Sequence, residues 1–261
     1  MNISLKGKTA LVGGSSKGIG EAIARQLAAS GASVTLMARN EEKMKAIIKE
    51  MDTSFGQEHQ FLIVDFSNFE AFKRTISPFF DQNEVDILVN NTQGPSAGGA
   101  LEKSIEDYQQ AFDLLFKSVV LTTELALKHM QKKKWGRIIN VASISVKEPL
   151  NYLALSNSIR AAVVTWSKSL AYDIAQDGIT ANSILTGYFD TDRIAQLNTK
   201  KAEKMGVTPE EVRSNMEEQV PMKRIGKPEE YGYLVAFLAS DRAAYITGTN
   251  IPIDGGLLKS L

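Results

Sequence analysis

The chain has 261 residues, with 30 basic and 30 acidic side chains and a formal net charge of zero at neutral pH. That balance gives no long-range field to draw nucleic acid or an anionic membrane surface, so neither is expected as a partner. Cysteine is absent, which excludes disulfides and thiolate chemistry and fits a reducing cytoplasm, while the only two histidines, His59 and His129, lack metal-ligand spacing, so no metal site is expected.

The N-terminal Met1-Asn2-Ile3-Ser4 has neither a charged nor an apolar leader segment, so no signal peptide is expected. No apolar stretch approaches the length of a membrane span. The first apolar run, Thr9–Val12, reads as a strand, and Ile19–Leu27 reads as a helix closed by Ser30-Gly31. Between them lies Gly13-Gly14-Ser15-Ser16-Lys17-Gly18-Ile19-Gly20. Strand, glycine loop and helix start are the parts of a phosphate cradle. Glycine has no Cβ and lets the backbone approach a pyrophosphate. The helix N-terminus then turns free N–H groups and the positive end of its dipole toward the anion. This loop implies a dinucleotide.

Further apolar runs follow at Ser33–Met37, Gln60–Phe66, Val85–Val89, Arg137–Val141, Ile179–Leu185 and Asn250–Ile253. They are near-continuous rather than alternating, as expected of strands buried on both faces. Helical patterns separate them at Glu41–Met51, Phe69–Phe80, Ile105–Lys133, Tyr152–Ala175 and Pro228–Ser240. Ser104 with Asp107 forms a capping-box pattern, and Pro228 suits a first helical turn. The basic run Lys132-Lys133-Lys134 ends a helix, where it complements the dipole. The alternation predicts an α/β fold: a doubly wound parallel sheet of the Rossmann type, helices on both faces, and a single domain over residues 1–261. One charged helical segment, at about 191–221, follows the carboxyl end of a strand, the edge where such folds bind ligands. It is predicted to be a substrate lid, with a plain surface hairpin as the alternative.

The second strand ends Leu36-Met37-Ala38-Arg39-Asn40, without the acidic residue that holds a ribose 2′-hydroxyl in NAD sites. Arg39 has the shape to clamp a 2′-phosphate. Lys17 adds a second positive charge. The expected cofactor is therefore NADP(H).

The spacing Gly14-x-x-x-Gly18-x-Gly20, followed by Asp65, Asn90-Asn91 and Gly187-x-x-x-Thr191, resembles the short-chain dehydrogenase/reductase family over nearly the whole chain. The tail Pro228-Glu229-Glu230, Phe237-Leu238-Ala239-Ser240, Ile246-Thr247-Gly248 and Asp254-Gly255-Gly256 is most like that of its 3-oxoacyl-(acyl-carrier-protein) reductase-like members. The resemblance implies NADP(H)-dependent reduction of a small-molecule carbonyl, free or acyl-carrier-linked, by a cytoplasmic homotetramer. It implies a cofactor site made by Gly14, Ser15, Ser16, Lys17, Gly18, Ile19, Gly20, Arg39, Asp65, Phe66, Asn91, Thr92, Arg160, Gly187 and Thr191. In that set Asp65 would meet the adenine and Asn91 its ribose. The family's Asn-Asn-Ala-Gly is altered here to Asn90-Asn91-Thr92-Gln93-Gly94.

The family's catalytic residues are an Asn, a Ser and a Tyr-x-x-x-Lys pair on one helix. Ser143 matches the serine. Aligned on Ser167-Lys168-Ser169-Leu170-Ala171, the Tyr and Lys positions hold Ser156 and Arg160. Aligned on Gly136-Arg137-Ile138-Ile139, the Asn position holds Leu115. Ser156 and Arg160, four apart, share a helix face. Arg160 stays charged at any ordinary pH. It is able to hold a ribose and stabilise a developing alkoxide. It does not replace a phenol as proton donor, and loss of a positioned general acid costs about 10²–10⁴ in rate. Three residues are candidates for the missing donor: Tyr152, one turn before Ser156 on the same helix face, Tyr188 at the ligand edge, and Lys147 after Ser143. Three readings stay open: a reductase with a non-standard proton donor, a cofactor-binding sensor or scaffold with little activity, and an isomerase or lyase on the same fold.

Overall fold

A computed structural model describes residues 3–260. The apolar runs become β1 (Thr9–Gly13), β2 (Ser33–Ala38), β3 (Gln60–Ile63), β4 (Ile87–Asn90), β5 (Gly136–Val141), β6 (Ile179–Thr186) and β7 (Asn250–Ile253). The helices are α1 (Gly18–Ala29), α2 (Glu41–Glu50), α3 (Phe69–Gln82), α4 (Ile105–Phe112), α5 (Ser118–Lys133), α6 (Ala154–Ile174), α7 (Asp192–Met205), α8 (Pro209–Gln219) and α9 (Pro228–Ala239). All seven strands run parallel in the order β3-β2-β1-β4-β5-β6-β7. Helices α1, α2 and α9 cover one face, packing Ile23, Leu27, Met44, Val235 and Leu238 on the sheet. Helices α3, α5 and α6 cover the other through Phe72, Ile76, Met130, Ile159 and Ile174. This is the doubly wound single domain that the sequence predicts. No helix among the described residues is long and apolar enough to cross a membrane.

The order matters for ligand binding. The chain winds outward from β1 to β3, then crosses back to lay β4 on the other side of β1. At that reversal the connections leave in opposite directions, and a crevice opens beyond the carboxyl ends of β1 and β4. A buried polar chain fixes the registers beside it. Asn90 Nδ2 donates to Asn140 Oδ1 at 2.8 Å and to Thr123 Oγ1 at 3.0 Å, and Asn140 Nδ2 donates to Ser167 Oγ at 2.9 Å. A slipped strand would leave buried amides without partners, each costing about 1–3 kcal/mol.

Three expectations need correction. The helix expected at Ile105–Lys133 is two helices joined by a π-helical turn at Asp113–Lys117, with Leu115 buried in it. The helix expected from Tyr152 starts at Ala154, because the backbone before it is used elsewhere: Gly98 N–H bonds Tyr152 O at 2.7 Å and Ala154 N–H bonds Gly98 O at 3.1 Å. Tyr152 thus lies in the turn before α6 and does not share a helix face with Ser156. The strand expected to reach Phe66 ends at Ile63, and Asp65 turns the chain by accepting the Ser67 N–H at 2.9 Å. The charged segment forms the hairpin α7–α8, capped by Thr191 and Thr208.

Lys133 does more than complement a dipole. Its ammonium lies 2.6 Å from buried Asp86, which also accepts from Thr9 N–H at 3.1 Å and faces His129 Nε2 at 3.2 Å. Burial pushes the Asp86 carboxyl up, but Lys133, the Thr9 amide and His129 outweigh it and hold the group below its usual range. A carboxyl depressed in the folded state adds stability above its unfolded pKa, near 3.9. That stability fades as pH falls through the lower folded value. Asp86→Asn should therefore cost about 1–3 kcal/mol at pH 7, a cost that shrinks below about pH 4, as read from denaturation midpoints across pH 3–7.

Candidate active site

The crevice is built on two close backbone approaches. A Cβ on Gly13 would lie 2.3 Å from Asn91 O, and one on Gly20 would lie 2.2 Å from Gly14 O. Gly14 and Gly18 both have φ of +57°, a left-handed conformation that side chains resist. Asn91 Nδ2 donates to Gly13 O at 3.0 Å, tying the end of β4 to the loop. Lys17 precedes α1 without capping it, so the first amides of the helix face the crevice. Ser15 is fully buried and faces away: its hydroxyl donates to Val12 O at 2.8 Å and accepts from Met37 N–H at 2.9 Å. Its hydroxyl braces the loop against β1 and β2. Ser16 and Ile19 are half-buried on the loop itself.

Beside this cradle, Met37, Phe66, Asn91, Thr92 and Val119 line a narrow slot. Asp65 borders it, its carboxyl held low by the Ser67 hydroxyl and amide against a smaller push from burial. Arg39 is exposed at the end of β2, and its charge also acts on Asp65. None of the ion pairs among the described residues involves Arg39. Lys17 is engaged: its ammonium lies 3.2 Å from Asp192 at the start of α7. Thr191 caps α7 and packs on the glycine loop, where a Cβ on Gly18 would lie 3.3 Å from its methyl carbon. Cradle, slot and cations fit a dinucleotide with an extra phosphate.

The residues expected at the catalytic positions lie just after β5 and in the first turns of α6. Ser143, half-buried after β5, accepts from Ser145 N–H at 3.1 Å. Ser156 is half-buried in the first turn of α6. Arg160, one turn on, reaches back to donate from Nη1 to Val141 O. Burial lowers its pKa, Tyr231 opposes this and Arg193 reinforces it. Gly187 sits against Asp254, where a Cβ would come within 2.6 Å of the Asp254 Cα. Tyr152 is exposed in the turn before α6 and Tyr188 is half-buried after β6; partial burial raises both phenols, and Tyr188 adds to the shift of Tyr152. Lys147 is solvent-exposed. No group of three or more metal-ligating side chains among the described residues is arranged to hold a metal.

Two residues here escaped the sequence. Tyr231 of α9 is fully buried, its hydroxyl 3.0 Å from Thr186 Oγ1 and its ring edge-on to Phe189 at 5.3 Å. Burial pushes this phenol far up, and the Arg160 charge counters that only in part. Nothing in the sequence hinted at it, since Tyr233 and Phe237 stand in the same helix. Arg193 reaches from the first turn of α7 to donate to Pro95 O at 3.1 Å, linking the hairpin to the loop after β4.

The Lys17–Asp192 pair is half-exposed and worth about 0–1 kcal/mol. A ligand phosphate displaces it cheaply. Asp192→Asn should tighten binding of a 2′-phosphorylated adenine nucleotide by up to about 5-fold in calorimetry, and Lys17→Ala should weaken it. Weaker binding to Asp192→Asn would contradict this role.

The family model described as enoyl-(acyl carrier protein) reductase matches residues 14–258. A 3-oxoacyl-(acyl-carrier-protein) reductase of Aquifex aeolicus is 31% identical over 263 aligned residues, covering 98% of this chain and all of the relative. The oxidoreductase UcpA of Salmonella typhimurium is 37% identical, covering 97% of this chain and 95% of the relative. Among solved structures, L-sorbose reductase from Gluconobacter frateurii, complexed with NADPH and L-sorbose, superposes with a TM-score of 0.92 at 30% identity, each chain fully covered.

Proposed function

Because the chain belongs to the short-chain dehydrogenase/reductase family, we propose that it is an NADP(H)-dependent oxidoreductase that reduces a ketone, of the 3-oxoacyl type or similar, without the family's tyrosine acid. The observation that carries this reading is a complete nucleotide crevice ending on a cation, Arg160, where the family has lysine. NADPH, when bound, supplies the hydride. Gly14, Gly18 and the first amides of α1 hold its pyrophosphate, and Arg39 with Lys17 holds the 2′-phosphate. Phe66 and Asp65 border the adenine, Asn91 and Thr92 the ribose, and Gly187 and Thr191 close the opposite end. Hairpin α7–α8 serves as the lid, its closure supported by Thr191 on Gly18 and by the Lys17–Asp192 contact.

As the carbonyl oxygen gains charge, Ser143 and Ser156 offer hydroxyl hydrogen bonds and Arg160 offers a fixed positive charge. Neither serine is a strong enough acid to supply the proton. Tyr152 and Tyr188 are the phenols this reading offers as donors; burial raises both, so each is a weaker acid than an ordinary phenol and slow turnover is expected. A homotetramer is part of the same proposal. Its support is the half-buried aromatic cluster of Phe112, Phe116 and Trp166 on the helices that face outward beside the site.

NADPH should bind at least about 10-fold more tightly than NADH, and Arg39→Ala should erase most of that preference while leaving NADH binding within about 2-fold. Equal affinities for the two cofactors would overturn the assignment. Ser156→Tyr with Arg160→Lys should raise ketone turnover by about 10²-fold, because it returns a phenol beside an ammonium. A brisk wild type and a dead double variant would mean that the native donor depends on Arg160. A silent wild type that binds NADPH, unrevived by the double change, would instead favour the sensor reading.

A further inference from the structure

Ser143 follows β5 and caps a short turn, Ile144–Val146. The apolar side chains on either side of it enter a small core of their own. Ala142 and Ile144 pack there with Val164 of α6 and Leu185 of β6, and Val146, Leu257 and Leu258 close that core from outside. The two leucines belong to the segment after β7, which pairs with no strand among the described residues. Two carboxylates hold it instead. Asp254 accepts the Gly256 amide on Oδ1 at 2.9 Å and the Leu258 amide on Oδ2 at 2.7 Å. Glu148 accepts the Lys259 and Ser260 amides on one oxygen, Oε1, both at 2.8 Å. Those two amides hold the Glu148 carboxyl below its ordinary range.

The ends of this segment meet two turns of the candidate site. Asp254 lies against Gly187 at the end of β6, where a Cβ on the glycine would come within 2.6 Å of the Asp254 Cα. Glu148 belongs to the Ser143 turn itself. The Val146 amide bonds Ser143 O at 3.2 Å, and the Lys147 and Glu148 amides bond Ile144 O at 2.9 and 3.2 Å. Lys147 and Pro149, on either side of Glu148, are exposed, so the turn takes its fixed place there from the Glu148 clamp. Residues 254–260 thus form a strap between the turn after β6 and the turn that carries Ser143.

We propose that Glu148 is a positioning residue for Ser143: by clamping the Lys259 and Ser260 amides it seats Leu257 and Leu258 against the turn and fixes the direction of the Ser143 hydroxyl. The proposal rests on the reductase reading, in which that hydroxyl meets the carbonyl oxygen. A reacting geometry displaced by about 1 Å loses up to about 10²-fold in rate, and loosening a surface strap should cost part of that.

The test measures kcat and KM for ethyl acetoacetate with NADPH, NADPH affinity by calorimetry, and amide hydrogen exchange at Val146 and Lys147. The variants are Glu148→Ala, Glu148→Gln and Leu258→Ser, with Glu148→Ala also placed beside Ser143→Ala. Glu148→Ala and Leu258→Ser should lower kcat by about 5–10-fold, leave NADPH affinity within about 2-fold and speed exchange by at least about 10-fold. Glu148→Gln, whose side-chain carbonyl still accepts both amides, should stay within about 2-fold of wild type in every readout. Beside Ser143→Ala, Glu148→Ala should cost less than about 2-fold, because the hydroxyl it positions is gone. Unchanged kcat and exchange in Glu148→Ala overturns the proposal, and so does a full loss of rate that persists beside Ser143→Ala. A wild type that binds NADPH and reduces no ketone overturns the reductase reading. Exchange in Glu148→Ala then decides the strap, which faster exchange upholds and unchanged exchange overturns.

Discussion

The contact between the end of β1 and the end of β4 governs the rest of the site. Gly13 and Gly20 bring backbone against backbone at distances no side chain permits, and Asn91 locks the approach with one hydrogen bond. This closeness turns the first amides of α1 into the crevice. It brings Lys17 within reach of Asp192 and lets Thr191 rest on Gly18. The hairpin that borders the mouth is thus seated on the phosphate cradle itself. The glycine loop and the proposed lid are joined by an exposed ion pair weak enough to exchange for a phosphate.

In the proposed function, the chemistry around α6 shifts from proton donation toward charge. The family pairs a phenol with an ammonium on one helix. Here the helix offers a hydroxyl and a guanidinium, and the phenols come from elsewhere. Tyr231 is sealed under Phe189 and bonded to Thr186, so it shapes the floor and does not reach a substrate. A site of this kind stabilises a negative oxygen readily and protonates it less readily.

The fold was legible because buried parallel strands leave near-continuous apolar runs, and the glycine loop marked where the crevice opens. The limits of legibility were local. The turn carrying Tyr152 was invisible because its backbone is captured by Gly98, far away in sequence. The π turn around Leu115 has no composition of its own. Ser15 looked like a ligand contact from its place in the loop, whereas its hydroxyl closes on Val12 and Met37. Arg193 and Tyr231 gave no periodic or spacing signal, since their roles depend on what lies across the crevice. Charge partners escape sequence for the same reason: Lys17 and Arg39 looked alike, and only the folded chain engages Lys17 with Asp192.

The central claim is that this crevice, with Arg160 in place of a Tyr–Lys pair, delivers hydride to a ketone carbon. Incubation with NADPH deuterated at both C4 positions, against oxo acids and their esters, tests it most directly by mass spectrometry of the products. The account predicts one deuterium on the carbinol carbon of the product alcohol and none elsewhere. Tight NADPH binding with no deuterium on any product carbon would contradict it.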